Sequence, residues 1–271
     1  MRINNKFRLS FIASSFVFCA AQTAGALEMK EVGNFKIGDG EGYAEMLRYH
    51  PQSKSLMVTA SETGTIERLS IQSLSNISKM EALDLLGDDV TAVAIHGNMV
   101  AASIKADAAD AAGMVKLFNS NGKELAIFTT GPLPDNVAFS PDGRYLLTAN
   151  EGEPSDDYSV DPEGSFTLID LGSGHANAKI TQIGLSDFAV PRGGRVVKPG
   201  SSFAADAEPE YVAFDSTGRT AYVTLQENNA VAVIDVAKAK VSAVVGLGVK
   251  NVSRTSHDMS NKANGINMKR W

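Results

Sequence analysis

The side chains best placed to do chemistry lie in one acidic stretch, from Asn150-Glu151-Gly152-Glu153 through Asp156-Asp157-Tyr158-Ser159-Val160-Asp161-Pro162-Glu163 to Gly164. In an extended backbone alternate side chains point the same way, so Asp157, Ser159, Asp161 and Glu163 are expected to project together. Such a row of oxygens suits a hard cation, and Ca²⁺ is the expected cofactor. Glu151 and Glu153 add carboxylates from the end of the preceding strand, so the candidate metal ligands are Asp157, Asp161, Glu163, Glu151 and Glu153. The loop is no EF-hand, because Pro162 stands where that loop needs its sharp-turn glycine. The competing reading is a solvated acidic loop.

Asp206, Glu208 and Glu210 repeat the alternating pattern before a later strand, and either meet the first cluster at a common rim or, for Glu210, orient a turn. Arg192 and Arg195 flank the glycines of Pro191-Arg192-Gly193-Gly194-Arg195 and could hold an anion; the bland alternative is a surface loop with neutralising charge. His50, His96, His175 and His257 show neither H-x-x-x-H nor H-E-x-x-H spacing. Gly172-Ser173-Gly174 lacks the nucleophile-elbow pattern, and the glycines from Gly38 to Gly42 lack the third member of a dinucleotide fingerprint, so both read as turns. No C-x-x-C-H for haem attachment is present.

The N-terminus bears on the compartment. Arg2, Lys6 and Arg8 precede the apolar run Leu9 to Ala21, and Ala24-Gly25-Ala26 supplies a small-x-small cleavage site. The run is shorter than the roughly 20 residues that cross a bilayer, and Phe18 before Cys19 argues against a lipoprotein. Residues 1–26 are therefore expected to be a signal peptide, leaving a periplasmic or extracellular domain at 27–271. The only cysteine leaves with the signal, which excludes disulfides and thiol chemistry. Three basic residues leave too, so 22 Lys and Arg face 31 Asp and Glu, a net charge of −9. That surface repels phosphate backbones and argues against nucleic acid as a partner, and no later stretch is long and apolar enough to span a membrane.

The elements that must position these residues form a repeat. Pro209-Glu210-Tyr211-Val212-Ala213-Phe214-Asp215-Ser216-Thr217-Gly218-Arg219 aligns with Pro134-Asp135-Asn136-Val137-Ala138-Phe139-Ser140-Pro141-Asp142-Gly143-Arg144, and weaker copies start at Ala44 and Asp89. Equivalent apolar positions, Leu47, Val93, Val137 and Val212, fall 46, 44 and 75 residues apart. The first two intervals fit a four-stranded propeller blade, and the third a blade with about 30 extra loop residues. Each copy reads strand, turn, strand, polar turn, strand, with Pro and Gly setting the first turn. The expected fold is all-β, a β-propeller with about four blades present of a longer ring.

Two segments carry a resemblance. Leu133 to Val137, continuing through Asn150-Glu151-Gly152-Glu153-Pro154 to Gly164-Ser165, and Asp206 to Val212 with Ala221-Tyr222-Val223-Thr224-Leu225-Gln226-Glu227-Asn228-Asn229-Ala230, closely resemble the choice-of-anchor I family. The resemblance implies an extracellular β-propeller of YVTN/WD-like blades, seven to the ring, with a C-terminal anchor, of which this chain is expected to be a truncated member with about four blades. Fold and compartment, without any nucleophile–base arrangement in the sequence, point to a binding or surface-interaction module for a protein or glycan. The alternative, from an alkaline-phosphatase-like label on some members, is a metal-dependent phosphoesterase.

Overall fold

The computed structural model describes residues 30–39, 42–85 and 89–249. The expected signal peptide and His257 lie outside them, as do Gly40 and Glu41 of the first glycine turn. By contacts the chain divides into Met1–Val32 and Gly33–Trp271, and all regular structure described belongs to the second unit.

That unit is built of antiparallel sheets taken in chain order. The first holds β1 (Leu47–His50), β2 (Ser55–Ala60), β3 (Thr65–Ser70) and the short β4 (Ser78–Lys79) and β5 (Leu83–Asp84), which both pair with β3. The second holds β6 (Asp89–His96), β7 (Met99–Lys105), β8 (Ala112–Asn119) and β9 (Glu124–Pro132). The third holds β10 (Pro134–Phe139), β11 (Tyr145–Asn150), β12 (Ser165–Asp170) and β13 (Lys179–Gly184). The fourth holds β14 (Pro209–Phe214), β15 (Thr220–Leu225), β16 (Ala230–Asp235) and β17 (Lys240–Gly246). The one α-helix described, α1 (Phe203–Asp206), is a single turn capped by the Ser202 hydroxyl, which accepts from the Ala205 N–H.

The repeat in the sequence is the repeat in space. In the third sheet Ser140-Pro141-Asp142-Gly143 turns the chain: Gly143 sits at φ 72° and donates to the Ser140 carbonyl at 2.8 Å. The Asp142 carboxylate closes the same turn by accepting from Ser140 Oγ at 2.6 Å. In the fourth sheet Gly218 at φ 68° donates to the Asp215 carbonyl at 3.0 Å, so the positive φ falls where glycine tolerates it.

Adjacent residues of a strand face opposite sides, and in the second and third sheets both sides are apolar and covered. Leu147 and Phe166 of the third sheet pack with Val223, Ala232 and Ile234 of the fourth. Their neighbours Leu146 and Ile169 join Val115, Leu117 and Phe128 of the second. Met57 and Ile66 of the first sheet pack with Val93, Val100 and Ile104 of the second. Each fully buried Leu, Ile or Phe contributes roughly 1.5–3 kcal/mol, so stacking of the sheets is the main source of stability. The opening strands β1, β6, β10 and β14 lie next to one another in that order. The approach of the third and fourth sheets is close enough to require Gly164, whose place for a Cβ is taken by the Ala207 carbonyl.

Candidate functional site: an acidic rim

Within each sheet the first strand starts where the second ends, as the pairs Asp89↔Lys105, Pro134↔Asn150 and Pro209↔Leu225 show. This brings Glu45, Asp89, Asp135, Glu151, Glu153, Glu208, Glu210 and Glu227 to one edge of the stack. Just inside that edge the opening strand bulges in three successive sheets, between Val90 and Ala92, Pro134 and Asn136, and Pro209 and Val212. Bulges re-aim side chains, and these also hook sheet to sheet. Thr91 Oγ1 donates to the Pro134 carbonyl, and the Val212 N–H donates to Asn136 Oδ1 at 3.3 Å.

The carboxylates feel one another. Burial, then the charges of Asp135, Glu153, Glu210 and Glu208, push the Glu151 carboxyl up to about 8. Glu208 is raised to about 7, by burial first and then by Glu227, Glu153, Asp206 and Asp161. Glu210 is raised to about 7 by burial and by Glu227, which lies within hydrogen-bonding reach of it. Burial and the charges of Glu153 and Glu45 raise Asp135, with Lys105 opposing. The Lys105 ammonium is itself held at 2.9 Å by Asp89, which raises it. Low-dielectric burial of like charges makes each carboxyl hold its proton longer.

The acidic stretch from 150 to 164 splits. Glu151 and Glu153 lie on the rim, near Asp135, Glu208 and Glu210. The extended backbone expected for 157–163 is absent, because residues 155–160 form a compact turn with Tyr158 at φ 56°. Its Ser155 N–H donates to the Val160 carbonyl at 2.9 Å, and the Tyr158 N–H to the Ser155 carbonyl at 2.7 Å. Asp157 accepts from the Ser159 N–H at 3.0 Å and Ser155 Oγ at 2.9 Å; the Ser159 side chain first, then these two donors, hold its carboxyl down to about 2. It serves its own turn. Glu163 is exposed, and Asp161 pairs with the Lys198 ammonium, which lies 5.3 Å above the Tyr158 ring.

The second acidic group also splits. Glu208 and Glu210 face the rim, but Asp206, at the end of α1, is buried and turned inward. Its carboxylate accepts from the Val197 N–H at 2.8 Å, the Lys198 N–H at 2.6 Å and Asn228 Nδ2 at 2.7 Å. Asp206 thus clamps the 190–200 insertion beside the site. Arg195 is spent on the same docking: its N–H donates to the Asn228 carbonyl at 2.9 Å and its guanidinium to the Glu227 carbonyl, while Arg192 is exposed. His50 is buried, with Nδ1 taken by Ser53 at 2.7 Å.

Two hollows open here. One of about 250 Å³ is lined by Glu153, Tyr158, Asp161, Lys198, Glu208 and Glu227. The other, of about 480 Å³, is lined by Asp89, Lys105, Leu133, Glu153 and Asp156. Among the described residues no three His, Cys, Asp or Glu side chains already converge as a metal sphere. Among the same residues no helix is long and apolar enough to cross a membrane.

The fold is that of a β-propeller. Hydrazine synthase from Kuenenia stuttgartiensis superposes with a TM-score of 0.56 at 14% identity, over 75% of this chain and 62% of that one. The β-propeller domain of Myceliophteria thermophila Cps50 gives 0.53 at 11%, over 78% and 58%. A putative 6-phosphogluconolactonase from Bacteroides uniformis gives 0.51 at 12%, over 76% and 56%. The chain thus spans less than two thirds of each of these structures. Its sequence matches the choice-of-anchor I domain over residues 45–271, and the chain belongs to that family. No curated protein sequence matches it.

Proposed function

We propose that the chain is an exported surface-interaction module that meets a protein or glycan through its acidic rim, with Ca²⁺ as the ion that neutralises the rim. The observation carrying this reading is the gathering of carboxylates from four successive sheets at one edge, with Glu151 raised to about 8 by its neighbours. Carboxyls crowded at this density favour a bound cation over mutual exposure. Ca²⁺ accepts six to eight oxygens in flexible geometry, so Asp135, Glu151 and Glu153 can draw in around it. Export rests on the signal-like residues 1–26. The four blades are proposed as part of a seven-bladed ring. In support, Tyr222 on the outward face of the last sheet is 45% exposed, whereas Leu147, its counterpart one sheet earlier, is fully covered.

Titration calorimetry with Ca²⁺ tests the reading. The expected dissociation constant is on the order of 10⁻⁴–10⁻³ M, as in extracellular modules. Glu151→Gln should weaken binding, and Asp157→Ala should leave it unchanged. Absence of both heat and a Ca²⁺-induced rise in melting temperature would sink the calcium assignment. Hydrolysis of p-nitrophenyl phosphate that Ca²⁺ supports and EDTA abolishes would replace the binding role with a phosphoesterase.

A further inference from the structure

We propose that the hollow lined by the opening strands of the four sheets binds a small aromatic carboxylate, with the Arg48 guanidinium as its anion-holding group. The carboxylates of the rim take no part in it, so the proposal stands independently of the calcium reading.

This hollow, of about 390 Å³, falls within the roughly 300–1,000 Å³ of small-molecule sites. Its apolar lining comes from Ile95 of β6, Val137 and Phe139 of β10, and Val212 and Phe214 of β14. Arg48 of β1 and Tyr211 of β14 tie its two sides together. They belong to the first and fourth sheets, with β6 and β10 between them in the order of opening strands, yet Arg48 Nη2 donates to the Tyr211 hydroxyl at 3.1 Å. Arg48 Nη1 donates to the Leu47 carbonyl at 3.0 Å, so both terminal nitrogens of the fork are anchored.

The polar groups of this lining are donors without an acceptor. Asp and Glu number 31 in the chain, yet among the described residues none lines this hollow and none pairs with Arg48. A guanidinium has five N–H groups, and here it serves only two neutral oxygens. Tyr211 accepts from Arg48, which leaves its own hydroxyl proton to give. Ser140 Oγ does not compete, because it donates to the Asp142 carboxylate and accepts from the Tyr145 N–H. His96 is fixed at the end of β6, its ring 5.8 Å from that of Phe139 and its imidazole in the place that a Cβ at Gly143 would take.

A half-buried arginine without a carboxylate, on a chain this acidic, selects an anion from outside. The planar fork matches a carboxylate in bidentate geometry, and the Tyr211 hydroxyl beside it adds a donor. Volume and lining select the rest of the ligand. A bare inorganic anion would leave Ile95, Phe139 and Phe214 facing water, whereas an aromatic body covers them and packs on the two phenyl rings. The hollows of the rim have the opposite chemistry, being lined by carboxylates.

Titration calorimetry in EDTA with 2-naphthoate, against 2-naphthamide as the same rings without the charge, tests the assignment. The carboxylate should bind about tenfold or more tightly than the amide. Arg48→Gln should remove that difference. Tyr211→Phe, which keeps the ring and loses the hydroxyl, should weaken naphthoate binding about threefold. Lys240→Gln, which removes a positive charge from the exposed start of β17, should change neither affinity. Thermal melts show whether each variant folds; if Arg48→Gln melts far below the parent, Tyr211→Phe carries the test. No heat from naphthoate, equal affinity for the two ligands, a difference that survives in Arg48→Gln, an unchanged Tyr211→Phe, or an equal loss in Lys240→Gln would each overturn the proposal. So would inorganic phosphate that displaces naphthoate at equal concentration, because a site for a bare anion has no use for the apolar lining.

Discussion

Replacing Glu151 by glutamine should stabilise the protein, and only at high pH. In the folded chain burial and four neighbouring carboxylates carry this group from 4.5 to about 8. Below about pH 4.5 folded and unfolded chains both hold the proton, so the group makes no difference. Between 4.5 and about 8 the unfolded chain releases the proton while the folded chain keeps it, and stability falls as pH rises. Above that the penalty is complete. The full separation corresponds to at most about 5 kcal/mol, and partial solvent access reduces it to about 2 kcal/mol. Glu151→Gln should therefore melt about 4–8 °C above the parent at pH 9 in EDTA, and within a degree or so of it at pH 5. Differential scanning calorimetry at pH 5, 7 and 9 measures this directly. A variant less stable than the parent at pH 9, or a gap that does not change with pH, would refute the picture of a rim strained by its own charge. Ca²⁺ at saturating concentration should close the gap from the parent's side.

Two further substitutions probe what holds the rim in place. Asp206→Ala strands the Val197 and Lys198 N–H groups and takes one of three acceptors from the Asn228 amide, and should cost about 3 kcal/mol in urea unfolding; a loss under about 1 kcal/mol would show the clamp to be dispensable. Gly164→Ala drives a methyl into the Ala207 carbonyl and should cost about 2 kcal/mol, with increased proteolysis in the 150–164 and 190–207 loops; an unchanged melting temperature would mean that the two sheets separate freely.

Much of the architecture could be read from residue types alone, because turns and strand alternation are local. Gly143 and Gly218 mark the same turn, and Leu47, Val93, Val137 and Val212 fall in four successive opening strands. The meeting of Glu208 and Glu210 with Glu151 and Glu153 is one of two readings that the spacing leaves open, the other being Glu210 as the residue that orients a turn. Repeat register places equivalent ends together without saying which way each side chain faces. Asp135 and Glu227 were not singled out. Their significance lies in neighbours on other sheets, and a bulge at Asp135 and a hairpin turn at Glu227 leave no alternating pattern.

The misreadings share one cause. Alternation is a property of extended backbone, and it was applied to Asp157, Asp161 and Glu163 where Tyr158 at positive φ reverses the chain. Asp206, Glu208 and Glu210 look alike in spacing, yet a helical turn ends at Asp206 and points its carboxylate into the protein. A serine-capped turn of four residues is too short to show a helical period, so pattern alone could not tell the inward carboxylate from the outward two. What does separate them is donor supply. Asp206 is ringed by N–H groups, whereas Glu208, Glu210 and Glu227 share an edge with almost none, and a carboxylate without donors is the one left to bind something else.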